Sequence, residues 1–266
     1  MALAGQCGSE LSAATYRVGD TASDFTLVAR RPFAKPDGTT APAGAEVRLS
    51  DFAGHVVFLE WFAVWCPFCV AAAPQVESGI VDWYAARNGN PHAVPVIHIA
   101  VNQEPRSFYQ TSTDAFVAQH GFGITVNDYD SRSTNKVRFA FQNSGQPTFA
   151  VINGVTNSPT HKPWQVLVNH LGYGDRDFAQ ELAAFRAAID AVEPAAFAPT
   201  LSSPRRVGAE VEFSIVTQAG RVYRVQASQN LETWTTLQSI QGAAAPIMFR
   251  DTAAPQDMRF YRVVTP

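Results

Sequence analysis

Eight residues of nearly unbroken apolar character, His55-Val56-Val57-Phe58-Leu59-Glu60-Trp61-Phe62, lead into the turn Trp65-Cys66-Pro67-Phe68-Cys69. From Cys69 onward, Ala73, Val76, Ile80 and Trp83 recur at spacings of four, three, four and three. The first run, rich in β-branched and aromatic residues, predicts a strand covered on both faces. The second predicts one face of a helix, with Cys69 buried and Cys66 left at an exposed first turn. A strand covered on both faces that feeds directly into a helix points to an α/β fold with a central sheet between helices.

The position of the cysteines has a chemical consequence. Unpaired amide N–H groups and the positive end of the helix dipole stabilise an anion at a helix start, so Cys66 should ionise below the ~8.5 of a free cysteine. A thiolate attacks disulfides, and a second thiol three residues on can resolve the mixed disulfide by closing the pair. The alternative, two buried cysteines packing as small hydrophobes, leaves the strand before and the helix after them unused. The third cysteine, Cys7, sits in an expected flexible N-terminus. Leu3-Ala4-Gly5 hints at lipoprotein processing, but Gln6 stands before Cys7 and spoils the pattern, so a free or intermolecular thiol is expected. Three cysteines are too few for a disulfide framework or a four-thiolate zinc site.

Composition excludes several function classes. Of 266 residues, 46% are hydrophobic and 16% charged, which excludes a disordered, solvated chain. Lys and Arg total 20 against 23 Asp and Glu, without runs of like charge, so nucleic acid and anionic membrane surfaces are poor partners. No apolar stretch approaches the ~20 residues of a membrane span. The first ten residues, MALAGQCGSE, lack the features of a signal peptide, although an exported protein whose leader has been removed would look the same.

Further motifs accompany the Cys-Pro-Phe-Cys turn: Val18-Gly19-Asp20, Asp24-Phe25-Thr26-Leu27, Leu49-Ser50-Asp51-Phe52-Ala53-Gly54, Ala73-Pro74 and Gly145-Gln146-Pro147-Thr148-Phe149. With Trp61-Phe62-Ala63-Val64-Trp65 ahead of the turn, this set resembles the thioredoxin-like proteins, and within them the TlpA/ResA-type extracytoplasmic thiol-disulfide oxidoreductases, over about residues 16 to 191. The resemblance implies a thioredoxin-like fold and a redox-active disulfide in place of any cofactor. It implies Cys66 as attacking thiol and Cys69 as resolving thiol. Pro147 corresponds to a proline facing the disulfide after a cis peptide bond, Gln146 offers backbone groups to an extended substrate, and Trp65, Pro67 and Phe68 border the substrate. Its partners would be protein disulfides or dithiols and an electron donor, met outside the cytoplasm.

Glu60 shares a strand face with Val56, Phe58 and Phe62, which predicts a carboxylate in apolar surroundings where desolvation raises its pKa. It also stands six residues before Cys66, where thioredoxin has a buried aspartate that relays a proton to the resolving cysteine. Glu60 is therefore a candidate general base for Cys69; the alternative is a strand-end glutamate reaching solvent or an arginine. The six histidines show no metal-ligand spacing and read as surface or capping residues, so no metal site is expected. Ala63, three residues before Cys66, disfavours a peroxidase, which would want threonine there. Apolar Phe68 beside Cys69 adds no positive charge to the thiolate, which favours a reductant over a strong oxidant. Two other functions remain open: a carrier in which both cysteines hold Cu(I), and a non-enzymatic docking or adhesion protein on the same scaffold.

Around this centre, the pattern predicts a strand at Phe25–Val28 and a Pro- and Gly-rich hairpin or loop over Arg30–Glu46 that shapes the mouth of the site. It predicts a buried strand at Val94–Val101, helices over Thr113–His120 and Thr134–Gln142, and strands at Thr148–Ile152 and Gln165–Leu171. A last helix, capped by Asp175, carries Phe178, Leu182, Phe185, Ile189 and Val192 on one face. The expected organisation is a flexible N-terminus over 1–15, a thioredoxin-like domain over 16–192, a proline-containing linker over 193–206 and a small all-β module over 207–266. That module alternates Val211, Phe213 and Ile215 with polar residues, then Tyr223, Val225 and Ala227, and loosely resembles small β-sandwich repeats of secreted bacterial proteins. Trp234 is its expected core anchor. So small a module should pack on the main domain or on a partner.

Overall fold

The computed structural model describes residues 15–129, 137–142, 145–174, 178–195, 198–218, 221–243, 245–253 and 258–265. Cys7, the Asp175 cap and the start of the helix expected from Thr134 lie outside these residues. The chain divides into two compact units, one formed by Met1–Asn90 with Val96–Glu193, the other by Pro194–Pro266 with Pro91–Pro95.

In the first unit the strands are β1 (Thr26–Ala29), β2 (Phe33–Ala34), β3 (Thr40–Ala41), β4 (Glu46–Arg48), β5 (Val56–Phe62), β6 (Val96–Asn102), β7 (Ile124–Asn127), β8 (Thr148–Asn153) and β9 (Val166–Leu171). The α-helices are α1 (Pro67–Val76), α2 (Asp82–Ala85), α3 (Gln110–Gln119), α4 (Arg138–Phe141) and α5 (Phe178–Asp190). Seven strands form one sheet in the order β4-β1-β7-β6-β5-β8-β9. β5 pairs with β6 in parallel across the crossover through α1, while β8 and β9 join antiparallel on its other side and are followed by α5. This path is the thioredoxin-like fold expected from the sequence.

β5 is central, and every one of its seven residues is buried, as a strand covered on both faces requires. Val57, Leu59 and Trp61 face a core shared with Phe33, Ala41 and Phe141. On the opposite face, Phe62 packs with Cys66, Cys69, Ala73 and Ala100 and with Phe116 and Phe122. The β2–β3 hairpin therefore packs on the face away from α1, contrary to the expectation that its segment shapes the mouth of the site. Phe178, Leu182, Phe185, Ile189 and Val192 are all buried, as their spacing predicts.

One stripe departs from the expected helix. Cys69, Ala73, Val76 and Ile80 are buried, but Trp83 is exposed and its neighbour Tyr84 is buried instead. Between α1 and α2, Glu77–Val81 form a π-helical turn, whose wider spacing moves the inward face along by one residue. Tyr84 then donates its hydroxyl proton to Asp190 at 2.8 Å, tying the end of this helical run to α5.

The second unit contains β10 (Thr200–Val207), β11 (Glu210–Val216), β12 (Val222–Ser228), β13 (Thr235–Gln241), β14 (Ile247–Asp251) and β15 (Phe260–Val264). They form two three-stranded antiparallel sheets, β10-β11-β14 and β13-β12-β15. Phe213, Ile215, Tyr223, Val225, Ile240, Phe249 and Val263 form the core. Trp234 is not its anchor: it lies half-buried, its indole N–H donated to the Leu231 carbonyl at 3.1 Å and Arg262 stacked 4.1 Å from its ring. Fully buried Tyr223 takes that place, its hydroxyl accepting the Gln218 N–H at 2.9 Å. Part of the expected linker is strand: Pro204 sits in β10, where the register with β11 slips between Ser202 and Arg205, an arrangement an edge strand tolerates.

Candidate active site

The Cys66-Pro67-Phe68-Cys69 turn follows β5 directly. Cys66 caps α1 with extended backbone angles and Pro67 occupies the first turn, where its missing N–H costs nothing. The Cys66 carbonyl accepts the Val70 N–H at 3.1 Å, which starts the helix. This geometry turns the Phe68 and Cys69 amides toward Cys66 Sγ. The hydrogen bond from the Cys69 side chain, followed by those amides, outweighs burial and lowers the Cys66 pKa to about 6. Cys66 is only 4% exposed, so the open first turn expected from the sequence is covered. Among what lies over it is the loop before β8: the Gln146 carbonyl oxygen stands 3.6 Å from Cys66 Sγ. The bond from Gln146 to Pro147 is cis, and Pro147 is buried.

Cys69 points into the protein and is fully buried. Burial pushes its pKa up far beyond the ordinary thiol range; the hydrogen bond to Cys66 and the charges of Cys66 and Glu60 push the same way. Both thiols are free. The pair thus divides into one readily ionised sulfur at the helix start and one held protonated behind it.

Glu60 is 0% exposed. It does not reach solvent, and among the described residues no arginine pairs with it; its Oε2 lies 3.2 Å from His98 Nε2 on β6. The side chains of His98 and His120 are both buried and paired with carboxylates, His120 Nδ1 lying 3.0 Å from Glu77 Oε2, so these two are not the surface residues expected. A histidine inside a strand otherwise read as buried was the available signal for His98.

The rim carries the remaining candidates. Trp65 is 45% and Phe68 52% exposed, and Pro67 is exposed beside them. Trp65 is fixed in place, because its indole N–H is donated to the buried Glu104 carboxylate. Arg106 grips that carboxylate with Nε at 2.7 Å and Nη2 at 2.5 Å, which holds the Glu104 pKa below the usual carboxylate range. The sequence pattern gave no sign of Glu104 or Arg106, since the loop after β6 has no periodicity to read. Among the described residues there is no group of three or more His, Cys, Asp or Glu arranged to hold a metal ion, and no helix is long and apolar enough to cross a membrane.

No protein-family model matches the chain, and no curated protein matches it. Solved structures do. A chain from Chlorobium tepidum described as a thiol:disulfide interchange protein DsbE is 23% identical, covering 66% of this chain and 99% of that one, with a TM-score of 0.44. The thioredoxin domain of a thiol-disulfide oxidoreductase from Bacteroides vulgatus is 15% identical over 64% of this chain and 99% of its own, with a TM-score of 0.43. The pneumococcal exposed lipoprotein thioredoxin from Streptococcus pneumoniae is 22% identical over 60% and 98%, with a TM-score of 0.36. By their descriptions the first two are thiol:disulfide interchange or oxidoreductase proteins and the third is a thioredoxin; this chain's own strand order gives the unit that holds Cys66 and Cys69 a thioredoxin-like fold.

Proposed function

We propose that the protein is a thiol-disulfide oxidoreductase that exchanges the Cys66–Cys69 dithiol with protein disulfides outside the cytoplasm, acting as a reductant. The observation that carries this reading is the split between the two sulfurs: Cys66 ionises at about 6 while burial keeps Cys69 protonated. At neutral pH Cys66 is therefore a thiolate that attacks a substrate disulfide, expelling one substrate sulfur as a thiolate and forming a mixed disulfide. That step removes the Cys66 charge and the hydrogen bond that help hold the proton on Cys69. Glu60, whose charge acts on Cys69, takes that proton; the Cys69 thiolate attacks Cys66 Sγ, closes the disulfide and releases the second substrate sulfur. Gln146 and Pro147 border the reacting sulfur, and Trp65, Pro67 and Phe68 give the substrate an apolar rim.

The lean toward reductant rests on the hydrogen bonds around Cys66, which include no basic side chain, and on a pKa of about 6, far above the ~3.5 of a strongly oxidising dithiol. The extracytoplasmic setting rests on the resemblance of the motif set to TlpA/ResA-type proteins. No bound cofactor is required, since the disulfide is the redox centre. Cys69→Ser should trap a substrate on Cys66 as a mixed disulfide visible on non-reducing gels, and the wild-type protein should reduce insulin disulfides. A Cys69→Ser protein that traps nothing, with a wild type inert toward insulin but tight for Cu(I), would replace this reading with metal carriage.

A further inference from the structure

Two buried titratable side chains meet on adjacent strands on the face of the sheet that carries α1. Parallel pairing sets Glu60 opposite Ala100 and His98 opposite Phe58, so Glu60 and His98 share that face. The His98 side chain is 5% exposed, and its Nε2 lies 3.2 Å from Glu60 Oε2. Its ring lies between Phe58, at 5.8 Å, and the edge-on ring of Phe122, at 4.7 Å. Glu60 Oε1 and His98 Nδ1 find no hydrogen-bond partner among the described residues. Leaving a buried polar atom unpaired is costly, so a pair that keeps one on each side, against Phe58 and Phe122, calls for a use.

Resting on the exchange reading above, we propose that His98 is a positioning residue for Glu60: its Nε2–H donates to Oε2, holds the buried carboxylate in one orientation, and leaves Oε1 as the base for Cys69. In the mixed disulfide, the Cys69 S–H bond breaks and its proton goes to Glu60 Oε1, while the electron pair stays on sulfur. That sulfur attacks Cys66 Sγ; the Cys66–Cys69 bond forms, and the bond from Cys66 to the substrate sulfur breaks. The substrate leaves as a thiolate that takes a proton from water, and Glu60 later releases its own proton to water. Without a donor at Oε2, nothing holds Oε1 in line with Cys69, and the proton transfer slows.

Among the described residues, β5 sets Glu60 beside His98. Beyond Phe122 lie Glu77 and His120, paired at 3.0 Å. Beyond Phe58, past Phe149 of β8 and Phe185 of α5, lie His170 and Glu181, at 3.3 Å.

The test separates the two half-reactions in the full-length protein, using a synthetic peptide disulfide and acid quenching to follow formation and decay of the mixed disulfide across pH. In His98→Phe the decay should slow by about tenfold or more across the pH range, with formation unchanged. His98→Gln, whose amide can still donate, should recover most of the loss, and His120→Gln should leave the decay rate in place. A decay rate in His98→Phe identical to that of the wild type overturns the role of His98 alone. A wild type that forms no mixed disulfide overturns the exchange reading and the proposal with it. Should His98→Phe not fold, nitrogen NMR of the wild type decides: a protonated Nε2 that shifts in Glu60→Gln supports the proposal, and a bare Nε2 overturns it.

Discussion

Cys66 and Cys69 are three residues apart and chemically unlike, and the difference comes from what each sulfur meets. Cys66 meets the amides of a helix start and the thiol of Cys69, whereas Cys69 meets the packed face of β5 and burial dominates it. Sequence spacing was enough to tell the buried cysteine from the one at the helix start. It could not show that Cys66 is covered, because the Gln146 carbonyl comes from a loop 80 residues further along the chain. Glu60 was legible as a carboxylate on an apolar strand face, but not its partner, since strand register decides that His98 stands near it. Glu60→Gln should leave the first attack unchanged and slow resolution by about a hundredfold or more, the usual contribution of a positioned base. Equal rates for both half-reactions in variant and wild type would remove Glu60 from the mechanism.

Among the elements, long periodic segments were the most legible. β5, the first ten residues after Cys66, and α5 follow directly from their apolar spacing. The departures have local causes. The π-helical turn at Glu77–Val81 exchanged Trp83 for Tyr84 on the buried face, and a proline that reads as linker proved compatible with edge strand β10. Glu212, read as the polar member of an alternating strand, is buried with Arg205 and Arg250 at its carboxylate, where the two strands flanking β11 supply the cations. Gly154, at the end of β8, is fixed by close approach. Its N–H reaches the His55 carbonyl at 2.8 Å, and a Cβ there would stand 2.5 Å from that same oxygen. Gly154→Ala should therefore push β5 and β8 apart at this end and lower stability by about 1–3 kcal/mol in denaturant unfolding. An unchanged midpoint would mean that this approach relaxes freely.

For the molecule as a whole, the two units hold separate cores, one around β5 and one around Phe213 and Tyr223. After residue 193 the sequence changes texture, from covered strands and helical stripes to short alternating strands; alternation alone could not show which aromatic residue fills the second core. Phe213→Ala should cost about 3–5 kcal/mol and unfold the sandwich unit, as seen by proteolysis, while the Cys66 thiolate titrates as before. A shifted titration would show that the second unit supports the first. All of the proposed chemistry depends on one sulfur being charged near neutral pH while its neighbour is not, and ultraviolet thiolate absorbance of the reduced protein reads this directly. A single ionisation centred at about 6 is expected, lost in Cys66→Ser and with no second step in the ordinary thiol range. Two cysteines titrating together near the ~8.5 of free thiols would contradict it.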